Sequence, residues 1–198
     1  MAGIYSADLK LGDILITSPK EIVSHCGIVG GTYKTAAGNE RVGMIYHATG
    51  GGMKAFTPPE WTSKYKESGV FRLTNPPADG LQAVGAAAIK LKSRCTYGVG
   101  RAFFESWTGT STFGPSAKGR LLDAQARLGF GEGKFLIEVF CSEFVILAYQ
   151  IGAKGDENSP LFINLDGKHA LPKDLRNWIL QRSSPGGKWS VMGEFLGG

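Results

Sequence analysis

Residues 140–151, FCSEFVILAYQI, constrain the fold more than any other stretch of the chain. Phe144, Leu147, Ala148 and Ile151 recur at helical spacing and make one apolar stripe, and Gly152 supplies a C-terminal stop. A stripe of this kind needs other elements laid against it. The earlier half of the chain offers strands. Residues 11–16 read as a turn feeding a short strand. Residues 25–30 read as a second strand that ends at the Gly30-Gly31 turn signal, and 42–49 as a third that Gly50-Gly51-Gly52 stops. The polar residues 32–41 between them form a long hairpin or loop. A fourth strand at 70–73 precedes the Pro76-Pro77 break.

Helical patterning takes over after that break. Asp79 caps a helix running to about Ser93, because Leu81, Val84, Ala88 and Leu91 share a face. Residues 106–119, rich in Ser, Thr, Gly and Pro, read as a surface loop over a site, and 121–128 as a short helix; together 106–135 have the look of an inserted lid. Pro172 suits the first turn of a helix over 173–181, and 189–195 form a late strand. The expected class is therefore α+β, in a single domain spanning residues 1–198.

Composition removes several function classes. With 42% hydrophobic and 20% charged residues the chain is neither disordered nor membrane-spanning in character, so stable membrane insertion is not expected. The net charge of +5 comes from scattered basic residues with no aromatic-interleaved stripe, which argues against nucleic acid as a partner. The opening residues MAGIYSADLKLGD lack the apolar core of an export signal, so synthesis in the cytoplasm is expected. GIVGGTYKTAAG carries glycines after a strand but neither phosphate-binding spacing, so no nucleotide cofactor is expected.

The chain has only three cysteines, Cys26, Cys95 and Cys141, and three histidines, His25, His47 and His169. An odd, dispersed set of cysteines argues for free thiols rather than a disulfide framework. Cys141 stands at the start of the apolar helix, where unpaired backbone N–H groups and the helix dipole favour a thiolate and can also hold an oxyanion. Burial as packing material is the competing reading, since free cysteine is among the most buried residue types. A nucleophilic thiol needs a base from elsewhere in the chain, and His25 and His47 each lie in a strand. If those strands pair, one ring can act as base and the other can orient it. Cys26 points to the opposite face from His25 and Cys95 ends a basic helix, so both are expected to be structural. His169 lies in a polar turn, exposed or as a local cap. No CxxC or HxxxH pair supports a zinc site, so no metal is expected.

Taken in order, GDILI, SHCGIVGG, IYHATGGG and FCSEFVILAY resemble the circularly permuted branch of the NlpC-like papain-fold superfamily, which includes relatives of lecithin retinol acyltransferase. TYGVGRAFF and ALPKDL also look like that branch's aromatic approach segment and closing helix. The resemblance implies an antiparallel sheet or small barrel packed against helices, with the nucleophile at a helix N-terminus. It implies Cys141 as nucleophile, His25 as base and His47 as the residue that orients His25, with no cofactor. Glu143 is expected to satisfy backbone donors. The implied activity is a cysteine hydrolase acting on amide bonds of peptidoglycan peptides. Without an export signal it would reach the periplasm or wall by a non-classical route, as a secreted antibacterial effector partnered by a secretion machine and an immunity protein. A lipid acyl hydrolase or acyltransferase using the same residues, and a non-enzymatic binding module, are the alternatives.

Overall fold

Strand alternation sorts the first half of the chain into two apolar surfaces. The computed structural model describes residues 3–17, 24–98, 110–129 and 137–197. Strands β1 (Gly3–Tyr5), β2 (Ile14–Thr17), β3 (Cys26–Lys34), β4 (Glu40–Thr49), β5 (Gly52–Phe56), β6 (Ser68–Leu73) and β9 (Trp189–Gly197) form one sheet in the order β1-β9-β6-β2-β3-β4-β5. All neighbours are antiparallel except β1 and β9. β1 and β5 are its edges, so this is an open sheet and not the small barrel. β7 (Cys95–Tyr97) and β8 (Ile137–Val139) make a separate parallel pair.

On one face Ile14, Ile16, Cys26, Ile28, Ala48, Phe71 and Leu73 pack with the helices α2 (Gly80–Arg94), α3 (Pro115–Gly129), α4 (Cys141–Gly152) and α5 (Pro172–Leu180). On the other, Leu15, Val29, Ile45 and Val70 pack with Trp61 of α1 (Pro58–Lys64) and with Ile4, Leu9 and Phe195. The α+β class follows. None of the described helices is long and apolar enough to cross a membrane.

Helix α4 is buried far beyond a stripe, with eleven of its twelve residues out of solvent; Ile151, expected on the buried face, is the half-exposed one. Three of its polar side chains survive burial because they find backbone. Ser142 donates to the Ala170 carbonyl at 2.6 Å, Gln150 to the carbonyls of Ile163 and Leu165 at 2.9 and 2.8 Å, and the Tyr149 hydroxyl to the carbonyl of Gly12. Helix α2 packs against both α4 and β3, and glycine permits the approach. A Cβ at Gly85 would sit 2.9 Å from the Gly30 carbonyl oxygen, and one at Gly152 would sit 2.9 Å from the Val84 backbone. Asp79 does precede α2, but with left-handed backbone (φ 59°) and no capping bond from its side chain.

Several sequence expectations need correction. Gly30-Gly31 is not a turn: β3 continues to Lys34 through a register shift there, and the Tyr46 ring covers Gly30. The hairpin instead turns at 35–39, where Thr35 donates to the Asn39 carbonyl at 2.9 Å and Gly38 takes φ +81°. Gly50-Gly51-Gly52 does end β4 at Thr49, and β5 starts at Gly52, where Thr49 Oγ1 donates to the Gly52 carbonyl at 3.0 Å. The loop expected at 106–119 gives way to α3 from Pro115 onward, since proline is well suited to a helix's first turn; residues 106–109 and 130–135 of the expected lid lie outside the described residues.

Candidate active site

His25 stands one residue ahead of β3. Its carbonyl accepts from the Thr17 N–H at 2.9 Å, and its own N–H donates to Thr17 Oγ1 at 2.7 Å. Because Ile28 pairs with Tyr46, Gly27 falls across from His47, and His25 is the diagonal neighbour on the same face. The two rings meet there, with His25 Nε2 and His47 Nδ1 sharing a hydrogen bond of 2.8 Å.

Glycine at 27 is what lets a third ring approach them. A Cβ at that position would come within 2.9 Å of Trp61 Cζ3. Trp61 stacks on His25 at 5.8 Å and meets His47 edge-on at 5.2 Å, while its Nε1 donates to Ser68 Oγ at 3.0 Å. Tyr65, one turn along α1, stacks on His25 at 4.7 Å, and Phe56 packs against His47 at 4.4 Å. Residues 57–65 went unread as an element in the sequence. Their signal was present: TPPE places Thr57 before two prolines and a Glu60 that accepts from the Thr57 N–H at 2.7 Å.

Cys141 comes from the opposite layer. The chain leaves β8, passes extended through Phe140 as the N-cap, and enters α4 at Cys141. The Cys141 thiol lies within electrostatic reach of the His25 ring and of Cys26. His25 Nε2 is engaged with His47, so Nδ1 is the ring nitrogen left to take a proton from another group. Of the three residues expected to act together, His25 and His47 are hydrogen-bonded and Cys141 lies within electrostatic reach of His25.

Each group's ionisation follows from this packing. The Cys26 contact, and then the His25 ring, hold the Cys141 thiol well below its ordinary value against the opposing effect of burial. The start of a helix favours the same thiolate. Burial first, and the neighbouring Cys141 second, push the Cys26 thiol well up. His47, with no exposed surface, is lowered to about 3 by burial, then by His25, Lys64 and Lys54. It is therefore a neutral imidazole at neutral pH. The Tyr97 hydroxyl is raised by burial and by the two sulfurs, which places it within their electrostatic reach.

Other sequence candidates sit elsewhere. Cys95 is buried at the C-cap of α2, and burial with Glu143 pushes it up to about 12. Glu143 packs against Gly167 and lines a cavity of about 200 Å³ with Arg120 and Arg127. His169 is half-buried rather than exposed, its Nε2 4.0 Å from Asp166, which also pairs with Arg120. Cys26 does face away from His25 along the strand, yet that face is the one that carries α4. Cys26 is packed in the core there, within electrostatic reach of Cys141. Among the described residues no group of three or more His, Cys, Asp or Glu side chains is arranged to hold a metal ion. No family model, curated protein or solved structure matches this chain.

Proposed function

We propose that the chain is a thiol-dependent hydrolase that cleaves amide bonds in bacterial cell-wall peptides. The observation that carries this reading is the His25–His47 hydrogen bond, with the Cys141 sulfur at a helix start within electrostatic reach of His25 and His47 held neutral. A merely packed cysteine needs none of those partners.

The chemistry proceeds from the proton positions. The thiol proton passes to His25 Nδ1, and the resulting imidazolium donates Nε2–H to Nδ1 of His47, which carries its own proton on Nε2. The Cys141 thiolate attacks the amide carbon, and the backbone N–H of Cys141 at the head of α4 stabilises the oxyanion; one such donor is worth roughly 10²–10³ in rate. His25 then returns its proton to the departing amine, leaving a thioester. Water, deprotonated by His25, releases the acid and restores the thiol.

The peptide substrate rests on the resemblance to the NlpC-like branch. Action in the wall as a secreted antibacterial effector, with a secretion machine and an immunity protein as partners, belongs to the same proposal. Incubating the protein with defined wall peptides and weighing the products tests it, with Cys141→Ala as the blank. Scission of one amide bond, absent in the variant, is expected. Release of fatty acid from lipid esters with wall peptides left whole would move the substrate to lipids, and inertness toward both would leave a binding module.

A further inference from the structure

The backbone and the ring of His25 are both tied to one rung of the sheet. Thr17 holds the backbone, its N–H donating to the His25 carbonyl at 2.9 Å and its Oγ1 accepting from the His25 N–H at 2.7 Å. Directly across the ladder from Thr17 stands Ser68 of β6, and both residues are buried. Ser68 Oγ accepts from Trp61 Nε1 at 3.0 Å, and the Trp61 ring is stacked on His25 with 26° between their planes. Tyr65 stacks as well, at 25°, and the Trp61 and Tyr65 centroids are 4.6 Å apart, too close for the two to flank the imidazole from opposite sides. Both rings therefore cover the same face of His25. Trp61 has no exposed surface, and its bond to Ser68 sets the tilt of its plane. We propose that Ser68, acting through Trp61, is a positioning residue that fixes the plane of the His25 imidazole.

A histidine side chain has two soft torsions, and every orientation left open to the ring is one in which its free nitrogen points away from the proton it must take. Three constraints close that freedom here. The Thr17 bonds fix where the side chain starts, the bond from His25 Nε2 to His47 Nδ1 fixes one edge of the ring, and the Trp61 face opposes rotation about the line that joins them. With those set, Nδ1 has one direction. Ser68 matters because an indole held by packing alone can tilt in its slot, and removing the hydroxyl leaves the buried Nε1–H without its acceptor. Ser68 touches no reacting atom, so its effect reaches the chemistry only through the two rings. The consequence for rate rests on the hydrolase proposed above, whereas the orientation of the imidazole pair does not. Misplacing a catalytic group by about 1 Å costs up to roughly 10²-fold in rate.

The test compares Ser68→Ala, Trp61→Phe and the double variant of the full chain, by cleavage of defined wall peptides and by proton–nitrogen spectra of protein carrying ¹⁵N in its histidine and tryptophan rings. Each single variant should lower kcat by roughly 10- to 10²-fold with KM within about twofold of the wild-type value. The double variant should be no worse than Trp61→Phe alone, because both changes remove the same bond. Ser68→Thr, which keeps the hydroxyl, should restore kcat. In the spectra, the proton shared by His25 Nε2 and His47 Nδ1 should give a resolved downfield line in the wild-type protein that broadens by exchange with water in Ser68→Ala. A packing role alone lowers Tm and leaves kcat and that line unchanged; this result, or losses that multiply in the double variant, overturns the proposal. If neither single variant folds, the wild-type spectrum decides: a Trp61 Nε1–H that exchanges rapidly with water overturns the proposal, and a protected one with ring-proton contacts between Trp61 and His25 sustains it. Should the wild-type protein cleave no wall peptide while the imidazole line still depends on Ser68, the hydrolase reading fails and the positioning stands. Cleavage left intact in Ser68→Ala does the reverse.

Discussion

Removing the imidazole at position 47 should change how stability responds to acid, and by an amount that follows from burial. His47 has no exposed surface, and its pKa lies at about 3 instead of 6.5. Below 6.5 the unfolded chain takes up a proton that the folded chain refuses, so stability is complete above 6.5 and falls as the pH drops toward 3. The slope is about 1.4 kcal/mol per pH unit, and the whole interval is worth on the order of 5 kcal/mol. That is comparable to the entire stability of many domains, roughly 5–15 kcal/mol. The assay is urea unfolding followed by tryptophan fluorescence, at steps from about pH 7 to about pH 4.5, on the wild-type protein and on His47→Asn. Carboxylates contribute to both curves and cancel in the difference. The variant should start lower, by about 1–3 kcal/mol for the lost partner of His25, but descend less steeply by about 1.4 kcal/mol per unit. Parallel curves would refute the assignment of a buried, neutral His47.

Iodoacetamide should label Cys141 rapidly near neutral pH and continue to do so well below the ordinary thiol value, while Cys26 and Cys95, both pushed up, stay unlabelled; peptide mapping reads this directly. His25→Ala should slow that labelling and reduce peptide cleavage by roughly 10²–10⁴-fold, the usual worth of a general base. Asp13 is fully buried and held by Arg72 through two bonds of 2.7 Å, so Arg72→Ala strands a carboxylate and should cost about 3–5 kcal/mol in urea unfolding. Adding Asp13→Asn to that variant should recover part of the loss. Gly85→Ala forces a Cβ to within 2.9 Å of the Gly30 carbonyl oxygen and should destabilise by about 1–3 kcal/mol, seen as a lower Tm.

Local signals carried much of this architecture. Helix α4 was legible because its apolar spacing and terminal glycine agree, and His25 and His47 could be matched because the hairpin between them restricts their register. What stayed hidden depends on contacts far apart in the chain. Gly30-Gly31 reads as a turn from sequence, since conformational freedom is the property a sequence displays. In the fold, Gly27, Gly30 and Gly85 serve as places where another element comes close. Nothing within SHCGIVGG says that a tryptophan 34 positions later occupies the gap at Gly27. Period-two alternation placed Cys26 on the correct face, but the identity of what covers that face is decided by α4, more than a hundred residues away.

The position of the site at a strand's first residue resolves a physical conflict. An ionised thiol in a protein interior is disfavoured by desolvation, and the imidazole pair beside it needs rigid aromatic walls. Within one layer these demands compete, because the rings that fix His25 would also exclude water and donors from the sulfur. Here the sheet separates them. Trp61, Tyr65 and Phe56 hold the imidazoles from one face. The head of α4 carries the sulfur on the other, with Cys26 within its electrostatic reach. His25 stands one residue ahead of β3 with its ring on the His47 face, and it is the residue that joins the two sides. Moving the imidazole one residue inward, by His25→Cys with Cys26→His, would keep both residue types and the fold's composition. It would turn the ring toward α4 and away from His47, and so should abolish the fast thiol labelling of Cys141.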